Sequence, residues 1–506
     1  MEYLNLNTVK KEFNNNKYVS NHDKFIDLIN YFVDFFFARN NINHTYKGIG
    51  RPPYDLKKLT KVVILGFNEG VISGRNIAKQ IIYDSRYNKL LDGKTPCYRV
   101  INNFKKNNHE MIHNLFVELV EIAKYNDLFD LKNITIDGTK IRARASKINS
   151  LKIKEIDFLK IVFQEKEIKE IISKLDNYKN YKNSLFYKRL VEKAMELLYQ
   201  IKDRFPKDTF VKGNKLRRGC INFFRKSIQS INDFNKNIMD LLELEKILYK
   251  SGQSSVSITD SDARWMKNKD NGGMDFNYNV QVVTDVESGF IIHCDVIQNP
   301  VDVNSLIPEI KSTQDNLKCD LSDSLILADN GYYNEKNLDF LEENGIDGLI
   351  PNRHQSMKSK NKNKENKPFG KVNFTYDHKN NAYICPNNKI LPYKQSYYRN
   401  GSTTELFYTD DCRLCSYQIK CAGRDRYKVI TDYTSVSRRK MAKAFDDDEK
   451  NEMYKKRNVS EIIFANLKKN YKYTQTDAYG LKNVKTEVIL FMIAVNLKKI
   501  FKKVFI

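Results

Sequence analysis

Residues 451–474, NEMYKKRNVSEIIFANLKKNYKYT, predict an amphipathic helix with an unusual polar face. At roughly 100° per residue, one face about 60° wide carries Tyr454, Arg457, Glu461 and Lys468. The opposite face is apolar and can pack on a core, through Val459, Ile463 and Leu467. This polar face suits a protein that holds a metal ion and a polyanion together, with Glu461 on the metal and the cations on phosphates. For this helix alone, an ordinary solvated face with salt bridges is the competing interpretation.

The composition is that of a folded and strongly basic chain. Its 506 residues are too many for one simple core, so roughly two to four domains are expected. The net charge of +24 usually indicates a nucleic acid or an anionic membrane as partner. The N-terminus lacks the apolar run of a signal peptide, and the late run VILFMIAVNL is too short to span a bilayer. We therefore expect a cytoplasmic protein whose partner is a nucleic acid.

Two further carboxylates are predicted on or beside strands. Residues 131–146 alternate around Asp137-Gly138, which predicts a strand with Asp137 on it or at its turn. Residues 324–328 predict an apolar strand that ends at Asp329, before a glycine turn and a helix. Because ligand sites in α/β sheets collect at the carboxyl ends of strands, both aspartates are candidate metal ligands. For Asp137, the competing interpretation is an ordinary turn.

Asp137, Asp329 and Glu461 together predict one catalytic site. Two strand aspartates and a late helical glutamate can converge in a ribonuclease H-like fold, an α/β fold with a mixed sheet. Three converging carboxylates repel one another without a cation, so they imply bound divalent metal. Two Mg²⁺ ions about 3.5–4 Å apart would activate a water or a 3′-hydroxyl and stabilise the leaving oxygen of a phosphodiester.

With these residues, the sequence resembles the DDE transposases of bacterial insertion sequences, in the branch marked by a Y-(2)-R-(3)-E-(6)-K signature. Every spacing of that signature is present in the segment 454–468. Residues 134–146, ITIDGTKIRARAS, and 325–333, LILADNGYY, resemble the two aspartate segments of the family. Residues 51–79 resemble the N-terminal DNA-binding domain that many of these transposases share.

The resemblance implies a role for each site residue. The three carboxylates would bind two catalytic Mg²⁺ or Mn²⁺ ions. The expected DNA contacts are Tyr454, Arg457, Lys468, Lys140, Arg75 and Arg99. Family members excise an element at its terminal inverted repeats and join its 3′ ends to a target, usually as dimers. Double-stranded DNA and a second copy of the chain are therefore the expected partners, and the protein is expected to associate with the nucleoid when it is bound to DNA.

Helices are predicted before and within the catalytic core. Residues 1–125 show short helices between turn signals, with Ser73 placed to cap one of them, which fits a helix-turn-helix DNA-binding module. A plain helical docking domain is the equal alternative. Residues 151–250 are rich in Lys and Glu and predict an inserted helical hairpin. That hairpin could be an arm for DNA or a solvated coiled pair.

Residues 351–429 predict a second insertion, with a basic loop and a four-cysteine module. The Lys/Asn run at 355–372 is expected to be a solvated loop, with phosphate contact as the alternative. A CxxC motif and two further cysteines can bind structural Zn²⁺ tetrahedrally, through Cys385, Cys412, Cys415 and Cys421. Free or redox-active thiols are the alternative to zinc.

The predicted architecture is a ribonuclease H-like core assembled from residues 126–150, 251–350 and 430–506, with the helical and cysteine-rich insertions between these segments. The leading function is an active transposase. A domesticated DNA-binding regulator and a metal-dependent nuclease of the same fold are the alternatives. The intact set of three carboxylates argues against the regulator, and the signature helix with the N-terminal domain favours a transposase over a nuclease.

Overall fold

The computed structural model describes residues 3–14, 21–42, 52–206, 215–268, 272–352, 355, 368–377, 379–399, 402–433, 436–445 and 447–505. The strands are β1 Asn133–Arg142, β2 Ser150–Leu151, β3 Val256–Ser257, β4 Arg264–Lys267, β5 Met274–Asp285, β6 Ile291–Ile297, β7 Leu325–Ala328, β8 Asp347–Leu349, β9 Thr375–Asp377, β10 Ala382–Ile384, β11 Ile390–Arg399, β12 Ser402–Phe407 and β13 Ile430–Tyr433. The α-helices are α1 Leu6–Asn14, α2 Asn21–Arg39, α3 Leu56–Asn68, α4 Gly74–Tyr83, α5 Ser85–Leu90, α6 Tyr98–Asn107, α7 His109–Tyr125, α8 Ile153–Gln164, α9 Lys166–Asn177, α10 Leu185–Asp203, α11 Arg218–Ser227, α12 Ile231–Ser251, α13 Leu306–Leu317, α14 Glu335–Glu343, α15 Gln418–Ala422, α16 Val436–Ala444, α17 Asp448–Lys455, α18 Val459–Lys469 and α19 Leu481–Phe505. Among them, none is both long and apolar enough to cross a membrane.

A mixed six-stranded sheet carries the site. Its order is β4-β5-β1-β7-β8, and β6 also pairs with β5, along residues 279–284 of β5. β1 pairs antiparallel with β5 and parallel with β7. Both β1 and β5 are buried along almost their whole length, as central strands covered by helices should be. The strands predicted around Asp137 and before Asp329 are confirmed, and the fold is α/β as predicted.

The N-terminal helices share one hydrophobic core with this sheet. Ser73 caps α4, as predicted, by accepting a hydrogen bond from the Asn76 backbone N–H at 3.2 Å. The last helix, α19, is apolar on most of its surface and packs against α3, α7 and β6. Its Phe491 ring lies 4.8 Å from the ring of Phe67 in α3. The N-terminal helices are thus fixed to the sheet, and residue 125 does not separate two hydrophobic cores.

The helical insertion has a hydrophobic core of its own, within residues 151–256. Its described part contains five helices, α8 to α12, so the prediction of a hairpin is wrong. Helix caps explain the difference, because Ser184 and Ser230 accept hydrogen bonds from the first turns of α10 and α12 and start new helices there. Five helices can bury apolar side chains among themselves, whereas a two-helix hairpin would leave many of them in water.

The cysteine-rich insertion is built on a second sheet. Its strands follow the antiparallel order β13-β12-β11-β10-β9. The small core beneath them consists of Phe374, Tyr383, Leu391, Phe407 and Ile430. Such a core is small for a unit of this length. Most of the predicted basic loop at 355–372 lies outside the described residues.

Candidate active site

Asp137 and Asp329 lie side by side on neighbouring parallel strands. The residues that directly precede them are partners in the register of β1 and β7. Asp137 Oδ1 accepts a hydrogen bond from the Gly138 N–H at 2.8 Å, and Asp329 Oδ1 accepts one from the Gly331 N–H at 2.7 Å. The sheet register and these short-range hydrogen bonds together fix both carboxylates at the carboxyl end of β7, where α/β sheets commonly bind ligands.

The signature segment folds as two helices joined by one tight turn. A 3₁₀ turn at Lys456–Asn458 separates α17 from α18. The prediction of a single uninterrupted helix is therefore wrong. Asn458 is a weak helix former, and a 3₁₀ turn has three residues per turn, so the face of α17 is rotated relative to the face of α18. Within α18, Ile463 and Leu467 are buried, as predicted.

Ser460 joins the signature segment to β1. Its hydroxyl lies 3.1 Å from Asp137 Oδ2 and 3.1 Å from the Arg457 carbonyl oxygen. The side chain is completely buried. A buried hydroxyl that touches both elements fixes the start of α18 against β1, and Glu461 is the next residue of this helix.

The signature side chains interact with one another. Arg457 Nη1 lies 3.4 Å from the Glu461 carboxylate, and its guanidinium lies 5.2 Å from the centre of the Tyr454 ring. Burial raises the pKa of Tyr454 to about 12; Arg457 opposes this rise, and the charges of Asp329 and Asp137 add to it. The negative charges of both aspartates therefore act on the Tyr454 hydroxyl. Lys468 is half-buried in the last turn of α18.

Glu461 is held by Arg457, and 57% of its side chain is exposed. Across the described residues, no group of three or more His, Cys, Asp or Glu side chains is arranged to hold a metal ion. The structure thus brings Asp137 and Asp329 together and sets the helix of Glu461 beside them. The assignment of all three as metal ligands stays a prediction.

A buried polar network beside the aspartates was not predicted. Asp302 Oδ1 accepts hydrogen bonds from Lys140 Nζ at 3.0 Å, Asn279 Nδ2 at 2.6 Å and Gln281 Nε2 at 3.0 Å. The sequence does hold a signal: amide side chains recur at every second position of β5, which gives this central strand one polar face. Lys140, one of the expected DNA contacts, is buried in an ion pair with Asp302.

Arg75 and Arg99 lie on the surface of the N-terminal helices. Arg75 is on α4 and Arg99 is on α6, and their guanidinium groups lie 5.1 Å and 5.8 Å from the centre of the Tyr98 ring. Gly74 permits this arrangement, because a Cβ at its position would be 2.2 Å from the Asn102 side chain of α6. The close crossing of α4 and α6 therefore places one exposed arginine from each helix beside the Tyr98 ring. Two neighbouring cations of this kind can bind the phosphate backbone of DNA.

On the expectation that the N-terminal helices bind DNA, replacement of Arg75 or Arg99 by alanine should weaken binding to duplex DNA that carries the terminal repeat. Each loss should be about 3- to 30-fold and should lower the slope of log affinity against log salt by about 1, since one phosphate contact is removed. Gel-shift titrations at several salt concentrations measure both quantities. Lys10→Ala, an exposed cation on α1, is the control. Equal, small effects of all three changes would remove Arg75 and Arg99 from the DNA interface.

The four clustered cysteines line one small cavity at the end of the second sheet. Cys385 Sγ accepts hydrogen bonds from the backbone N–H groups of Asn387 at 3.3 Å and Lys389 at 3.2 Å. Burial is the main cause that raises the pKa of the Cys421 thiol; Lys428 lowers it, and the other three cysteines raise it further. The four cysteines thus line the same cavity, although among the described residues they do not form a group arranged to hold a metal ion.

Comparison with known families gives two matches. The family described as "Transposase DDE domain" matches residues 384–501, which include the signature segment and the cysteines. The family described as "Transposase domain (DUF772)" matches residues 13–107, which include Arg75 and Arg99. No curated protein and no solved structure matches the chain. Both ends of the chain thus match transposase domains, and these two matches support a DDE transposase of insertion sequences.

Proposed function

We propose that this transposase binds the terminal inverted repeats of its own element and catalyses divalent-metal-dependent cleavage and strand transfer. The observation that carries the proposal is the placement of Asp137 and Asp329 as neighbours on β1 and β7, with the signature helix joined to Asp137 through Ser460. Two carboxylates at a strand end, beside a helix with a third carboxylate and two cations, suit phosphodiester chemistry. The sheet with this site would be a ribonuclease H-like core.

The side chains present fit hard divalent ions. Oxygen ligands from carboxylates are what Mg²⁺ and Mn²⁺ prefer, and the two aspartates are held in place before any ion binds. Glu461 would become the third carboxylate ligand by leaving its ion pair with Arg457 and binding the metal ion. Two bound ions would supply an activated water or 3′-hydroxyl and a stabilised leaving oxygen. Arg457, released from Glu461, and Lys468 would then hold the DNA phosphates.

We further propose that the protein works on DNA in the cytoplasm as a homodimer, with residues 1–125 as the DNA-binding part. The exposed cations of α4 and α6 support this assignment, and so does the match of residues 13–107 to a transposase domain. The catalytic core would combine residues 126–150, 251–350 and 430–506. Residues 151–250 and 351–429 would be insertions, and the separate hydrophobic clusters of these two segments support that division.

A structural Zn²⁺ in the second insertion is also proposed. The fit rests on the four cysteines that share one cavity and on the two backbone N–H groups that point at Cys385 Sγ. Such N–H···S hydrogen bonds stabilise a thiolate, which is the form that binds zinc. Because the core of this insertion is small, a bound ion would add the stability that the core alone does not provide.

Cys412→Ser should lower the zinc content of the purified protein from about one ion per chain to near zero, since three thiolates rarely retain structural zinc. Atomic absorption measures the ion, and limited proteolysis within residues 384–430 should accelerate at the same time. Cys97→Ser changes an exposed cysteine outside the cavity and should alter neither result. Zinc that persists in the Cys412 variant, or wild-type protein without zinc, would refute this site.

The main proposal is tested by a cleavage assay. Wild-type protein is incubated with duplex DNA that contains the flanking terminal repeat of its element, with Mg²⁺, Mn²⁺ or EDTA. Metal-dependent cutting at the element end, followed by joining to a target plasmid, is the expected result. Specific binding without cutting would favour a DNA-binding regulator, and cutting without joining would favour a nuclease.

A further inference from the structure

Tyr332 anchors the turn that follows Asp329. The turn spans Asn330–Tyr332, and its Gly331 N–H donates to Asp329 Oδ1 at 2.7 Å. The Tyr332 N–H donates to the Asp329 carbonyl oxygen at 3.2 Å. The Tyr332 side chain is completely buried, and its hydroxyl donates to Gln281 Oε1 at 2.5 Å. The turn that holds the Asp329 carboxylate is therefore fixed by a tyrosine that reaches into the protein interior.

Gln281 lies on the face of the sheet opposite to Asp137. In the antiparallel register of β1 and β5, Asp137 pairs with Val282 and Gly138 pairs with Gln281. Because successive side chains of a strand point to opposite faces, the Gln281 amide lies away from the Asp137 carboxylate. Gly138 leaves the space for it, since a Cβ at position 138 would lie 2.3 Å from Gln281 Nε2. That Nε2 donates to Asp302 Oδ1 at 3.0 Å, so the anchor of the turn is itself held in place.

The backbone of the turn has a second anchor in Asn337 of α14. Its Nδ2 donates to the Tyr332 carbonyl oxygen at 2.7 Å and to the Val303 carbonyl oxygen at 2.8 Å. Asn337 is buried, and fully bonded polar groups in a protein interior make the segments that they join more rigid. Tyr332 is thus held through its hydroxyl by β5 and through its carbonyl oxygen by α14.

The charge of the site acts on the Tyr332 hydroxyl. Burial is the main cause that raises the pKa of Tyr332, and the charges of Asp302, Asp137 and Asp329 raise it further. The hydroxyl therefore keeps its proton near neutral pH and remains the donor in the hydrogen bond to Gln281. The charge effects of Asp137 and Asp329 also indicate that the anchor lies close to both candidate metal ligands.

We propose that Tyr332 is a positioning residue that holds the Asp329 carboxylate ready for a divalent ion. The tyrosine acts through the turn, because its hydroxyl contacts Gln281 and its backbone belongs to the segment that holds Asp329. A ligand that is already in place has less freedom to lose when the ion binds, so loss of its support weakens metal binding. The inference deepens the proposed function, because it assumes that Asp329 binds the metal.

Tyr332→Phe tests this role, because it removes only the hydroxyl. The Mn²⁺ concentration for half-maximal cleavage of the element end should rise about three- to tenfold, somewhat less than the loss typical when a direct partner of a metal ligand is removed. The cleavage rate at saturating Mn²⁺ should stay within about twofold of wild type. Mn²⁺ binding without DNA, followed by the loss of the free-ion signal in electron paramagnetic resonance, should weaken by the same factor. Partial unfolding would instead lower the rate at saturation.

Tyr278→Phe is the matched control. Tyr278 lies on β5, is completely buried like Tyr332, and its hydroxyl donates to Asp260 Oδ1 at 2.8 Å. Each variant loses one buried hydrogen bond, so thermal unfolding should show a loss of stability in both. Only Tyr332→Phe should change the Mn²⁺ dependence. An equal Mn²⁺ shift in both variants, or none in Tyr332→Phe, would overturn the inference.

Asp329→Asn, measured by the same Mn²⁺ titration, separates the inference from the proposed function. Loss of Mn²⁺ binding in Asp329→Asn together with wild-type affinity in Tyr332→Phe would overturn the inference alone. If Asp329→Asn binds Mn²⁺ as tightly as wild type, the proposed metal site is wrong and the inference fails with it. Weakened binding in Tyr332→Phe and loss of binding in Asp329→Asn is the expected result.

Discussion

Asp329→Asn should abolish cleavage of the element end while leaving the binding of that end within about threefold of wild type. The amide keeps the size of the side chain and the hydrogen bond from the Gly331 N–H, but it loses the charge that would hold the divalent ion. A catalytic metal contributes several kcal/mol to the transition state, so the rate should fall about a thousandfold or more. A single-turnover cleavage assay with labelled DNA measures this rate.

Asp347→Asn is the matched control for this change. Asp347 is exposed and begins β8, the strand next to β7, so the variant alters an aspartate of the same sheet outside the site. Its cleavage rate should stay within about twofold of wild type, as is usual for surface substitutions. A large loss in both variants would show that the sheet, and not a metal-binding carboxylate, had been damaged.

Glu461→Gln should also lower the rate of cleavage strongly, but for a different reason. The amide oxygen of the new side chain could still accept a hydrogen bond from Arg457, so the helix and the DNA-binding surface should persist. Without its charge, the side chain at position 461 could not leave Arg457 and bind the metal ion. The cleavage rate should therefore fall by about a hundredfold to a thousandfold. Cleavage and end binding are measured on the same DNA, and loss of both in equal measure would mark Glu461 as a structural residue.

Glu452→Gln provides the comparison on the preceding helix. Glu452 pairs with Lys455 on α17 and is 71% exposed, so its ion pair resembles that of Glu461 and lacks any link to Asp137. Exposed pairs of this kind contribute about 0–1 kcal/mol, and cleavage should be unchanged. If both glutamine variants cleave equally well, the Arg457–Glu461 pair is only a surface interaction.

Short-range sequence patterns predicted the individual strands and the helix face that form the candidate site. The alternation around Asp137 and the apolar run before Asp329 predicted their strands, and both are present. The apolar spacing of Ile463 and Leu467 predicted the buried face of α18. These patterns are reliable because burial of an apolar face governs both helices and strands.

Features that depend on several elements at once were not predictable from such patterns. The 3₁₀ turn at Lys456–Asn458 contains no proline or glycine from which it could be predicted. It lies directly before α18, whose first turn is held to β1 by Ser460. The five-helix insertion depends on two serine caps that the hairpin prediction did not include. The Asp302 network joins residues more than 160 positions apart, and such a contact becomes visible only when the sheet is assembled.

A crystal structure of the protein with Mn²⁺, with data collected at the manganese absorption edge, tests the proposed metal site. We expect an anomalous peak bound by the carboxylates of Asp137 and Asp329, with the Glu461 carboxylate turned from Arg457 towards the ion. A peak elsewhere, or none at saturating Mn²⁺ with Glu461 still on Arg457, would contradict the assignment of these three residues to one catalytic metal site.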